Sequence, residues 1–459
     1  MNQNCALPKD VILKDNSTGV NFDLSRITNF TPFPRGKIIF GGYFGDEGKG
    51  KEVDITADQY KKSGYKVLSI RGQGSGNAGH TVKVNGIKYD FHYLTSAGLS
   101  ADIMLLGPGM LIDPIRILEE SQKLPEEKRN IIFIAERATI VTNGDRAMDE
   151  WCENARKNTG QKAIGTTKSG VGPGAGTRGF RFHVTFADAL KCCDTADLKN
   201  LFLKNPVYPD DVKAVLTDTY IEELWSAIHQ LNIVDSITVV NNCRKEGNWA
   251  VLLEVSQAVL LDPLFGNEGH FTTSTPCTNV GGIVGSGLTI HDFPDGSVMV
   301  LKSYGSKVGG GPYITKFLPE ETHIDSFIDH MVGEHGVTTG RKRDLGWFDA
   351  PAVRYSLSLT GADICINCMD VIVALAKEID AVKICFAYKN IKNGKITYEW
   401  PYYVSDYEPL YIELPIKGKT EKQIIQDYIL LIEYIIGKEI HSYGTGPSRE
   451  DYHLRKDAF

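Results

Sequence analysis

Between residues 37 and 64 the chain reads KIIFGGYFGDEGKGKEVDITADQYKKSG, a short apolar run, a glycine cluster and then helical spacing. Strand, glycine turn and helix in that order leave backbone N–H groups and a helix N-terminus facing one point, where phosphate oxygens bind well. From Gly45 the spacing resembles a Walker loop as far as Gly50 and Lys51, but Glu52 stands where Ser or Thr would hold Mg²⁺. Asp46 lies inside the same loop. A carboxylate among phosphate-binding amides repels its ligand unless a metal bridges the two or the carboxylate takes a proton in catalysis, and capping a helix is its other common use.

The pattern repeats down the chain. Apolar runs KVLSI, DIMLLG, NIIFIA, SITVV, WAVLLEV, SVMVLKSY, DICIN and AVKICFAY alternate with helical stretches, which predicts an α/β fold: a large, mostly parallel central sheet flanked by helices. Residues 1–36 read as an N-terminal extension, and the length that follows suits one large domain or two. DLKNLFLKN and YIEELWSAIHQL, within 183–235, are expected to form a helical subdomain inserted in that sheet.

Composition removes other classes. A formal charge of −7 without long basic runs argues against nucleic acid as the partner. The apolar stretch IIQDYILLIEYIIG is broken by Asp427 and Glu433, so no membrane span is expected. Nine cysteines, an odd number and sparsely placed, suit a reducing cytoplasm, where the sequon at Asn16 stays unmodified. DICINCMD reads as one buried strand whose Cys365 and Cys368 point to opposite faces.

Four further stretches carry polar chemistry. RGQGSGNAGHTV places His80 in a glycine run beside Asn77 and Thr81, where an imidazole could donate to a phosphoryl oxygen. GTTKSGVGPGAGTRGFR, too glycine-rich for a predicted helix, presents Lys168 and Arg178 as exposed cations. GVTTGRKRDLGWFD sets Thr338 and Thr339 before Arg341 and Arg343; guanidinium forks with neighbouring hydroxyls suit a small dicarboxylate. YGTGPSR, from 443 to 449, is a glycine-proline turn.

Together GDEGKGK, NAGHT, GTTK, TTGR and TGP, in that order from Lys37 to Arg449, resemble the adenylosuccinate synthetases. The resemblance implies a ligase that joins L-aspartate to C6 of IMP through a 6-phosphoryl intermediate, with GTP and one Mg²⁺ per subunit, in a cytoplasmic homodimer. It implies a single catalytic domain over 37–459 and assigns catalysis to Asp46, Lys49, His80 and Gln257. Asn77, Thr167, Thr272 and Arg341 would complete the IMP site, with Arg178 reaching the nucleotide phosphate from the neighbouring subunit. Val337, Thr338, Thr339, Arg341 and Arg343 would hold aspartate. Gly45, Glu47, Gly48, Lys49, Gly50 and Lys51, then Gly79, His80 and Thr81, would surround the GTP phosphates, together with Arg343. Cys368, Asp370, Gly444, Thr445 and Gly446 would enclose the guanine. Asp46 and the Gly79 carbonyl would hold the metal.

Departures from the family pattern concern both nucleotides. Cys368 replaces a lysine whose stem normally covers guanine, GNEGHFTTS replaces a tyrosine-containing turn, GAGTRG is shortened, and Lys307 stands for arginine. Two alternatives follow: a phage-type enzyme using dGMP and ATP, which Asp46 opposes, and a catalytically silent purine nucleotide sensor, which needs neither Asp46 nor His80.

Overall fold

The computed structural model describes residues 30–459 apart from 78, 85–86, 267, 269, 308 and 337–339. Most of the expected N-terminal extension, with Asn16, lies outside the described residues, as do Val337, Thr338 and Thr339.

Ten strands share one sheet: β1 (Arg35–Gly41), β2 (Lys66–Arg71), β3 (Ile103–Leu106), β4 (Ile132–Ala135), β5 (Ile233–Val234), β6 (Trp249–Ala258), β7 (Ser297–Lys302), β8 (Asp363–Asn367), β9 (Ser442–Gly444) and β10 (Tyr452–Leu454). Across the sheet the order is β10-β9-β8-β7-β1-β6-β2-β3-β4-β5. Neighbours are parallel except β9 with β10. Among the described strands the first, β1, is central; the chain then builds outward to β5, returns to insert β6 beside β1, and builds the other half. Ligands of such sheets bind beyond the carboxyl ends of strands where the order reverses, and here that place is the end of β1.

The apolar runs form strands because both faces are covered. Ile38 and Phe40 enter one core and Ile39 the opposite one, as the period of two requires. Along β6 every residue is buried except Gln257.

The covering helices used below are α1 (Lys49–Lys62), α2 (Asn143–Asn158), α3 (Val171–Phe180), α4 (Thr195–Leu203), α5 (Asp218–Gln230), α6 (Ser236–Glu246), α7 (Met369–Leu375) and α8 (Glu421–Ile436). Between residues 183 and 235, α4 and α5 pack on each other through Leu198, Phe202, Ile221 and Leu224, and β5 then joins the main sheet. None of the helices among the described residues is long and apolar enough to cross a membrane.

Four expectations need correction. SITVV is the start of α6, not a strand: the Asp235 carboxylate accepts from Ile237 N at 3.1 Å, and this cap outweighs the β-branched residues behind it. VGPGAGTRGF forms α3. Its glycines allow close packing, since a Cβ on Gly174 would lie 3.4 Å from Val141 and 3.6 Å from Leu111. The strand in DICINCMD ends at Asn367, and Cys368 instead starts α7 with φ at +62°. AVKICFAY is a strand, but it lies in a separate sheet, antiparallel to Tyr407–Pro415. The eight cysteines among the described residues are free thiols.

Candidate active site

The loop between β1 and α1 is held by its own side chains. Gly45 and Gly48 take φ of +103° and +84°, values that L side chains rarely adopt. The Glu47 carboxylate folds back under the turn, accepting from Gly45 N at 2.7 Å and Tyr43 N at 3.2 Å. Lys49 Nζ closes the ring, donating to Gly45 O at 2.7 Å and to Glu47 at 3.3 Å. On the far side Lys51 Nζ donates to Gly446 O at 2.7 Å and Asp451 O at 3.1 Å, and burial lowers its pKa. Asn367, at the end of β8, donates to Glu47 O at 2.9 Å. The segment from Gly444 to Gly446 is thus joined to the loop through Lys51.

Asp46 is the loop side chain that faces outward, a third exposed. Arg343 Nη1 lies 2.5 Å from it and Lys302 Nζ 3.3 Å. Beneath these cations sits Glu334, buried, 2.8 Å from Lys302 and 2.7 Å from Arg343. Ser306 Oγ donates to it at 3.1 Å, and Tyr304 OH also donates. Burial works against the Lys302 ammonium, but Asp46 and Glu334 outweigh it and raise its pKa. Burial would likewise raise Glu334, yet Lys302 and Arg343 bring it down to about 2.

A cavity of about 490 Å³ opens beside the loop. It brings together Gly45, Asp46, Asn77, Gly79, Thr167 and Gln257, with Thr272 and Arg343. Gln257 points there because β6 turns at that residue into φ +67°. Asp149 accepts from Gly170 N at 3.1 Å, and Glu153 accepts from Ile164 N at 3.2 Å and Gly165 N at 3.0 Å; these carboxylates on α2 shape the backbone around Thr167. The rest of the wall includes the aromatic Phe180 and Phe271 and the polar Thr177.

Other sequence-predicted residues lie outside this lining. His80 opens a hairpin, Nε2 is 2.6 Å from Leu94 O, and burial lowers its pKa. Thr81 donates to Asp90 across that hairpin. Arg341 donates to Gly165 O at 3.0 Å. Arg178 was expected to be exposed; instead it is partly buried, donating to Thr139 Oγ1 at 2.8 Å, Met110 O at 3.0 Å and Gly109 O at 3.1 Å. Asp370 lies in the first turn of α7, where burial raises its pKa despite nearby Lys51. Thr445 Oγ1 is 2.9 Å from His453 Nε2. Sequence reasoning missed Lys302, Glu334, Asp149 and Glu153. A lysine at the end of a buried parallel strand was a usable signal for Lys302; the others had none.

A phosphate-type loop at the switch point of a parallel sheet, next to a cavity that an outward carboxylate faces, defines an α/β nucleotide enzyme. The family model described as adenylosuccinate synthetase matches residues 38–453. Adenylosuccinate synthetases of Brachyspira hyodysenteriae and Caldicellulosiruptor saccharolyticus are 34% and 32% identical to this chain, each alignment covering 92% of it and 99% of the relative. The fully ligated adenylosuccinate synthetase from Plasmodium falciparum superposes with a TM-score of 0.80 at 28% identity, over 91% of this chain and 99% of that one. The cyanophage S-2L succinoaminodeoxyadenylate synthetase, solved with dGMP and dATP, shares the fold at a TM-score of 0.56 and 17% identity, covering 92% and 95%. The chain belongs to the adenylosuccinate synthetase family.

Proposed function

We propose that the protein joins L-aspartate to C6 of IMP at the expense of GTP, giving adenylosuccinate, GDP and phosphate. The observation that carries this reading is Asp46, the outward carboxylate of a phosphate-type loop, at the mouth of a cavity of purine nucleotide size.

The C6 carbonyl oxygen of hypoxanthine cannot leave as oxide. Phosphorylation by GTP makes it a leaving group, and the aspartate amine then forms the C–N bond as phosphate departs. Asp46 takes the N1 proton and so drives charge onto O6. Gln257 and Asn77 orient the purine ribotide, with Thr167 and Thr272 offering hydroxyls to its phosphate. Loop amides and Lys49 hold the nucleoside triphosphate, Lys49 exchanging the Gly45 carbonyl for a phosphate oxygen. His80 donates to the moving phosphoryl group, which requires its ring to leave the Leu94 carbonyl. Arg341 and Arg343, with Val337, Thr338 and Thr339, take the aspartate carboxylates. Such transfers depend on positioning and fixed charge more than on covalent intermediates.

Magnesium belongs to the proposal. Asp46 and Gly79 face the same cavity, and a carboxylate with a carbonyl would suit a hard, oxygen-preferring ion. When bound it supplies positive charge to the phosphoryl oxygens. On the base side, Asp370 offers the acceptor that guanine N1–H and N2 require and adenine cannot use.

Homodimerisation in the cytoplasm completes the reading. Among the described residues Arg178 donates to neutral oxygens, and burial lowers its pKa, so an anion would be its better partner. Serving the substrate phosphate of the neighbouring subunit provides one. Mixing Asp46→Asn and Arg178→Leu subunits is expected to recover part of the activity through hybrid dimers; no recovery overturns that role.

Phosphate release with aspartate, measured with IMP or dGMP and with GTP or ATP, tests the reaction. Turnover is expected with IMP and GTP. Turnover confined to dGMP, or none with any pair, overturns it.

A further inference from the structure

We propose that Glu334 is a positioning residue, a fixed buried carboxylate that holds Lys302 and Arg343 beside Asp46 and keeps them when Asp46 turns to the purine. The inference rests on the reading of Asp46 as the working carboxylate.

Two carboxylates share the same pair of cations. One nitrogen, Arg343 Nη1, lies 2.5 Å from Asp46 and 2.7 Å from Glu334, and Lys302 Nζ lies 3.3 Å and 2.8 Å from them. The two acids differ in freedom. The Asp46 side chain is 33% exposed, while that of Glu334 is 2% exposed. Glu334 is fixed from several directions: Tyr304 OH and Ser306 Oγ donate to its carboxylate, its carbonyl accepts from Arg343 N at 2.8 Å, and its N–H donates to Asp329 at 2.9 Å. Among the described residues Asp46 has no comparable anchor beyond the two cations. Pulling Asp46 away would strand a buried lysine and arginine if Glu334 were neutral, and burying unpaired charge is costly. With Glu334 in place the cations keep an anion, so Asp46 is free to serve the substrate. The Nε of Arg343, buried and without a hydrogen-bond partner among the described residues, leaves one side of the guanidinium for a ligand.

The first test needs no substrate. Unfolding of the ligand-free protein is measured for Asp46→Asn, Glu334→Gln and the double variant. Because the double variant leaves both cations without an anion, its folding equilibrium is expected to fall at least about 3-fold below the product of the single effects. Effects that multiply within about 2-fold overturn the proposal. If Glu334→Gln does not fold, the same cycle with Glu334→Asp decides, since the shorter side chain cannot reach both cations.

The second test is kinetic. Glu334→Gln is expected to lower kcat about 10-fold or more while KM for IMP changes by less than about 3-fold, because the loss falls on the release of Asp46 and not on binding. Adding Lys302→Gln restores the charge balance, so part of kcat returns. An unchanged kcat in Glu334→Gln, or no recovery in the double variant, overturns the role. A wild-type protein without aspartate-dependent phosphate release refutes the proposed function instead, and the unfolding cycle still decides on Glu334.

Discussion

Arg449 ties the C-terminal segment to the helix that follows the phosphate loop. Its Nε and Nη2 each stand 2.6 Å from an oxygen of Asp54 in α1, and its Nη1 stands 2.9 Å from Asp58. The Asp54 side chain is 3% exposed. Arg449→Ala therefore strands a buried carboxylate. Breaking a fully buried pair costs about 3–5 kcal/mol. Arg449 is itself 27% exposed, so water reaches the vacated place, and a loss of about 2–3 kcal/mol is expected. An unfolding entropy of about 2.1 cal/mol/K per residue over 459 residues gives a slope near 1 kcal/mol per degree. The melting temperature then moves only about 2–3 °C, so chemical denaturation is the better assay. The sign with pH follows from Asp54. Burial raises its pKa above 3.8, and Arg449 pulls it back; without the arginine it rises further. A carboxyl with a raised folded pKa favours folding below its unfolded pKa and loses that contribution as pH rises through the folded value. The Ala variant should thus show its full loss near pH 7 and a smaller one towards about pH 4. A loss under about 0.5 kcal/mol at neutral pH, or one independent of pH, refutes the reasoning.

Lys51→Met removes the bonds to Gly446 O and Asp451 O and should raise KM for GTP several-fold with little change in KM for IMP, as read from initial rates. Gly48→Ala forces a side chain into φ +84° with its Cβ 2.8 Å from Asn367 Nδ2; the strain of about 1–3 kcal/mol should appear as lost stability together with weaker GTP binding, measured by denaturation and calorimetry. The Glu334 carboxyl, held at about 2 against an ordinary 4.5, contributes stability that is present above the unfolded value and lost as pH falls through that interval. Acid titration of stability should therefore be flatter in Glu334→Gln than in the wild type.

The sheet was legible because buried parallel strands are continuous apolar runs, and the phosphate loop because glycines, lysines and an acid recur at fixed spacing between a strand and a helix. SITVV misled because its residue types favour strands, while the decisive group, Asp235, stands just before it and acts through one hydrogen bond. The α3 helix was hidden because its glycines look like a loop until Val141 and Leu111 give them something to pack against. Glu334 shows the deeper limit. In VGEHG it is one acid among many; its importance comes from Lys302, Tyr304 and Ser306 in one segment and Arg343 in another, which only the folded chain assembles around it.

The placement of β1 at the middle of the sheet has a consequence for synthesis. Its two neighbours are Trp249–Ala258 and Ser297–Lys302, both far downstream of Gly41, so the strand must wait for a long stretch of later chain before either of its edges is covered. Pairings of such long sequence separation form slowly and leave sticky edges exposed meanwhile. The loop that grips phosphate is thus translated well before the strands that wall it in.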